Sequence, residues 1–182
     1  PCAKTGVPLT TAVSSRKPPM SLIEITPPDF DVSLELAYAT PDNFTGMPVY
    51  ARAICYLHEE AADRLSRACV LAAAQECRLR IFDGFRPTEA QQVLWNHTPD
   101  PGVLADPAKG SPHSRGAAVG LALVDVAGNA PDMDTPFDTF TPLSHHGCTE
   151  ISQAAQKNRS LLLGLMTAAG YIAIILTRHL RM

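Results

Sequence analysis

The stretch Arg78-Leu79-Arg80-Ile81-Phe82-Asp83 alternates at period two, and Gly84-Phe85-Arg86-Pro87 then turns the chain. The alternation predicts a strand with Leu79, Ile81 and Asp83 on one face and Arg78, Arg80 and Phe82 on the other. Upstream, from His58 to about Cys77, the residues Leu65, Ala68, Cys69, Ala72 and Ala73 recur at helical spacing, and Glu59 and Glu60 stand where a helix dipole favours acids. Downstream, Thr88 is placed to cap a short helix reaching about Trp95, and residues 98–112 read as a Pro/Gly/Asp loop. Residues 117–126 (AAVGLALVDV) read as a buried strand, Gly128-Asn129 as a turn, and 131–149 as a long irregular segment. Residues 151–169 predict a helix with Leu161, Leu162, Leu165 and Met166 inward, and 171–176 a last strand. Residues 21–38 read as one or two strands broken by Pro27-Pro28. The elements show no βαβ regularity, so the expected class is α+β, with a mostly antiparallel central sheet and packed helices.

Composition narrows the function classes. The 182 residues suffice for one domain with a real core. A net charge of −3 gives no basic field for nucleic acid. Five cysteines, an odd number without CxxC pairing, argue against a disulfide framework and for a reducing, cytoplasmic setting. Residues 1–19 are rich in Pro, Ser and Thr without periodicity; the expectation is a disordered leader or non-native upstream segment, with residues 20–182 as one domain. The uncharged run 160–176 is short for a membrane span and divides at Ala168-Ala169-Gly170. A helix ending there, followed by an Ile-rich strand, is the economical reading; a membrane anchor is the alternative.

Three stretches can carry chemistry. His113 lies in Gly110-Ser111-Pro112-His113-Ser114-Arg115-Gly116, at the end of a polar loop on the lip of the strand 117–126. A rim imidazole can bind a metal, although a hydrogen-bonded loop histidine is the plainer account. Arg86 is delivered by a strand into a tight turn, where a guanidinium can stabilise the oxyanion formed when water attacks a peptide carbonyl. Its plain alternative is a structural arginine paired with a surface carboxylate. Residues 132–146 crowd Asp132, Asp134, Asp138, His145 and His146 into one irregular segment, as binding loops often do.

Taken together, DGFRP (83–87), SPHSRG (111–116), FD (137–138), SH (144–145) and NRSLLL (158–163) resemble the D-Ala-D-Ala dipeptidases, with the motifs in family order. The likeness runs from about Pro28 to Tyr171. It implies zinc-dependent hydrolysis of the D-Ala-D-Ala dipeptide by a metal-bound water, with a glutamate base and an arginine that stabilises the transition state. It places the first zinc histidine on His113, the arginine on Arg86, a serine beside the dipeptide on Ser111, and an aspartate near the substrate ammonium on Asp138.

The chain also departs from that pattern. The motif's aspartate ligand falls on Gly120, and Asp125 lies five residues further on, out of phase on a strand. The closing E-W-W-H motif has no match: aligned from Gly170, its base falls on Thr177 and its histidine on Leu180, leaving His179 one residue early as the remaining candidate ligand. A catalytic zinc takes three protein ligands and an open position, so weak metal binding and little turnover are expected. The rival readings are a non-catalytic module that keeps the dipeptide cleft, and a D,D-carboxypeptidase acting on longer stems.

Overall fold

The computed structural model describes residues 21–173 and 179–181, the segment Ala173 and 179–181 by backbone path alone. Expectations for residues 1–19, for Thr177 and for the strand beyond residue 173 lie outside the described residues. Two short strands come first among the described residues, β1 (Leu22–Glu24) and β2 (Val32–Leu34), separated by the prolines as expected. Then come β3 (Tyr56–His58), α1 (Glu59–Ala73), β4 (Cys77–Asp83), α2 (Thr88–His97), β5 (Ala118–Asp125), α3 (Gln153–Ala168), β6 (Ile172–Ala173) and β7 (His179–Arg181). Strands β1 and β3 form a two-stranded antiparallel pair, and the main sheet has the order β2-β4-β5-β7-β6. Among the described strands only the β2–β4 pairing is parallel, so the sheet is mostly antiparallel and the α+β expectation holds. β7 was not foreseen from sequence.

The core forms where the apolar faces meet. Leu65, Ala68 and Ala72 of α1, Leu79 and Ile81 of β4, Leu121 and Leu123 of β5, and Leu162 and Met166 of α3 are buried in one cluster. Each large aliphatic side chain so buried contributes about 1.5–3 kcal/mol. β5 is buried from Ala118 to Val124, which accounts for its unbroken apolar run. A second cluster gathers Tyr38, Leu94 and Leu104, with Phe44, Tyr50, Trp95 and Phe137 packed around them.

Two expectations need correction. α1 ends at Ala73, which is exposed rather than part of the buried face. Eight residues beyond Leu65 an ideal helix has drifted about 80° around its axis, which carries Ala73 off the core stripe. Thr88 does not cap α2: it is the first helical residue, Pro87 takes the cap position with extended ψ, and the helix continues to His97. The uncharged run near the C-terminus divides as the economical reading expected: α3 stops at Ala168, Gly170 takes a φ of +100°, and β6 follows. Among the described residues no helix is long and apolar enough to cross a membrane. Cys55, Cys69, Cys77 and Cys148 are free thiols, with burial raising Cys55 to about 12 and Cys69 to about 11.

Candidate active site

The end of β4 is irregular. Ile81 pairs with Leu121 and Asp83 with Gly120, so Phe82 is an extra residue and the strand bulges before the turn. The bulge delivers Asp83 into the interior, fully buried. The next residue must be glycine, because a Cβ on Gly84 would sit 2.8 Å from both Cys55 Sγ and the Tyr56 carbonyl. The turn is tied down by Phe85 N–H donating to Tyr56 O (2.7 Å) and Arg86 N–H to His113 O (3.1 Å).

That last bond joins two of the motifs read in the sequence. His113 begins a single 3-10 turn closed by Gly116, whose φ is +64° and whose Cβ would lie 2.7 Å from His58 N. The imidazole Nδ1 is 2.8 Å from Gly84 O and 3.1 Å from Asp83 Oδ2. A carbonyl can only accept, so Nδ1 carries the proton and the neutral ring keeps its lone pair on Nε2. Burial lowers the His113 pKa, and Arg86 adds to this while Asp83 and the Gly84 bond oppose it. A neutral imidazole held from behind by a carbonyl and a carboxylate is the form a metal takes. The Ser111 hydroxyl accepts from His113 N–H at 3.2 Å, so that serine is buried beside the histidine.

Arg86 is 2% exposed and held on three sides. One terminal nitrogen donates to Asp83 Oδ2 (2.6 Å), the other to Gln91 Oε1 (2.9 Å), and its Cζ lies 4.9 Å from the centre of the Tyr38 ring. Gln91 is itself anchored by donating to Ala105 O at 2.7 Å. Burial works against the guanidinium charge, but Asp83, with Tyr38 and Tyr50, outweighs it and the net shift is upward. The carboxylate partner is therefore a buried one, not the surface carboxylate of the plain alternative. Asp83 is shared: Oδ1 accepts from the Tyr50 hydroxyl (2.6 Å) while Oδ2 faces Arg86 and His113. Burial, reinforced by Asp83, raises the Tyr50 pKa well above its usual value, so the hydroxyl stays a donor.

Asp138 joins through Tyr38, whose hydroxyl donates to its Oδ1 at 2.9 Å. Its Oδ2 is buried with no hydrogen-bond partner among the described residues. Burial raises the Asp138 pKa to about 6 despite the Tyr38 bond and the Arg86 charge. Arg86, His113, Ser111 and Asp138 thus form one connected site. His179 is located only by register: residue 179 pairs with Gly120, which pairs on its other side with Asp83. Asp125 belongs to the opposite end of β5, paired with Cys77 and bonded to Asn129, and takes no part.

Sequence reasoning overlooked the roles of Asp83, Tyr38, Tyr50 and Gln91. Asp83 had a signal: an acid at the position where the strand's buried face calls for an apolar residue is rarely there without a partner. The tyrosines and Gln91 come from distant segments and carried none.

Among the described residues no three His, Cys, Asp or Glu side chains converge as a metal would require. His113 suits a first ligand, and Gly120 has no side chain to offer a second.

The class to which the fold and this site belong is that of the M15 metallopeptidases. The family described as D-ala-D-ala dipeptidase matches residues 19–176, and the chain belongs to it. A D-alanyl-D-alanine dipeptidase of Escherichia coli (strain K12) is 41% identical over 79% of this chain and 75% of its own length. Those of Enterococcus faecium and Streptomyces coelicolor are each 31% identical, over 78% and 74% of this chain and 81% and 77% of their own lengths.

Proposed function

We propose that residues 20–182 are a single zinc-dependent D-Ala-D-Ala dipeptidase domain by lineage, acting in the cytoplasm, and that this chain binds zinc weakly and turns over slowly. The reading rests on one observation: Asp83 bonds Arg86 while lying beside His113, and Tyr38 connects that pair to Asp138. The free thiols among the described cysteines favour a reducing compartment.

In this reading Asp138 Oδ2 receives the substrate ammonium, and Ser111 lies beside the dipeptide. Arg86 supplies N–H donors to the carbonyl oxygen as it gains charge; its Nε has no partner among the described residues. The slow turnover follows from Gly120, which stands where the family carries an aspartate ligand. Thr177 in place of the glutamate base removes a contribution of roughly 10²–10⁴-fold. The test is D-alanine release from D-Ala-D-Ala with added zinc. Turnover within about tenfold of an intact relative would contradict the ligand accounting.

The same observation favours one second reading, a binding module that keeps the dipeptide pocket without the metal. Calorimetry with D-Ala-D-Ala in the presence of a chelator separates the two: binding that survives chelation supports the module, and binding that requires zinc supports the enzyme.

A further inference from the structure

Arg159 lies in α3 within the NRSLLL motif, has no part in the chemistry above, and is 6% exposed. Its nitrogens donate to oxygens at both ends of one loop. Nε and Nη2 reach Met133 O at 3.0 and 2.6 Å, and Nη2 also reaches Thr135 Oγ1 at 3.3 Å. On the other side Nη1 donates to Leu143 O at 2.6 Å and more weakly to His145 O at 3.5 Å. These acceptors are neutral oxygens, so the guanidinium acts here as a rigid multi-pronged donor rather than as half of an ion pair. Ser144 reinforces the closure from within, its Oγ donating to Thr139 O at 2.5 Å and lying 3.2 Å from Thr135 Oγ1. The segment between the two gripped ends carries Phe137, stacked on Phe82 with ring centres 4.6 Å apart, and Asp138, whose φ of +60° is unusual for a non-glycine residue. The loop is therefore closed at its neck by one side chain and presents a buried carboxylate oxygen at its tip.

We propose that Arg159 is a positioning residue that closes the neck of the loop 133–145, holds Asp138 against Tyr38, and thereby sets selectivity for a dipeptide with a free ammonium. The proposal rests on the reading that Asp138 receives that ammonium. Lysine cannot replace it, because a single ammonium nitrogen cannot reach both the Met133 and the Leu143 carbonyls, which separate nitrogens of the guanidinium hold.

The test pairs Arg159→Lys with the parent chain, using calorimetry with D-Ala-D-Ala and with its N-acetylated form, together with amide hydrogen exchange. The parent is expected to prefer the free dipeptide. In the variant its dissociation constant rises about tenfold or more, the N-acetylated form changes less than about twofold, and exchange over residues 136–142 accelerates while Ala118–Asp125 stays protected. Equal losses for both ligands, or a loop as protected as in the parent, overturn the proposal. If the parent itself does not distinguish the two ligands, the reading of Asp138 fails and the selectivity role with it, whereas exchange still reports whether Arg159 closes the neck. Should Arg159→Lys also lose protection in Ala118–Asp125, Ser144→Ala decides: a smaller effect of the same selective pattern supports the neck, and no selective effect overturns it.

Discussion

Asp138→Asn should stabilise the protein at neutral pH while weakening its hold on the dipeptide. Burial raises the Asp138 pKa from 3.8 to about 6. Such a carboxyl favours the folded state fully below its unfolded pKa, and that contribution disappears as pH rises through about 6. A shift of this size corresponds to up to about 3 kcal/mol of lost stability at pH 7. Asparagine carries no charge to bury, its Oδ1 can still accept from Tyr38, and it tolerates the positive φ at this position. Urea unfolding of both proteins should therefore show the variant more stable by up to about 3 kcal/mol at pH 7, with little difference near pH 4. Taking the difference between the two proteins cancels the titration of the carboxylates that do not interact with Asp138. A gap independent of pH, or a variant less stable than the parent at pH 7, would refute the account of a carboxylate whose ionisation burial opposes. The same substitution should weaken D-Ala-D-Ala binding, so this site trades stability for recognition.

Removing the charge of Asp83 with Asp83→Asn leaves the buried Arg86 cation uncompensated and should cost about 3–5 kcal/mol in urea unfolding; a loss under about 1 kcal/mol would show that the pair is not coupled as drawn. Gly84→Ala pushes a methyl into Cys55 Sγ and the Tyr56 carbonyl, and a thermal melt should reveal a loss of about 1–3 kcal/mol. If Gly120 is the missing ligand position, Gly120→Asp should tighten zinc binding about tenfold or more, given that even outer partners of a metal site matter about 10–100-fold. Competition against a chromogenic chelator measures this, and unchanged affinity would argue that residue 120 does not face the metal position.

Much of the fold was legible because periodicity is local. The alternation at residues 78–83, the apolar run at 117–126, and the leucines of α3 each satisfy one burial pattern within their own segment. The DGFRP stretch read as a turn and SPHSRG as the end of a polar loop, and the two do bring Arg86 and His113 together. What the sequence by itself determined was therefore the α+β class and the inward face of β4; the grouping of His113, Arg86, Ser111 and Asp138 came from the family resemblance of their motifs and not from any period. Tertiary structure alone decided what links them. The sharing of Asp83 between Arg86 and His113, its bond from Tyr50, the Tyr38 bridge to Asp138, and the grip of Arg159 on two ends of one loop all join residues far apart in the chain. Such contacts have no period to read. They exist because buried polar groups must find partners wherever the packed elements happen to place them.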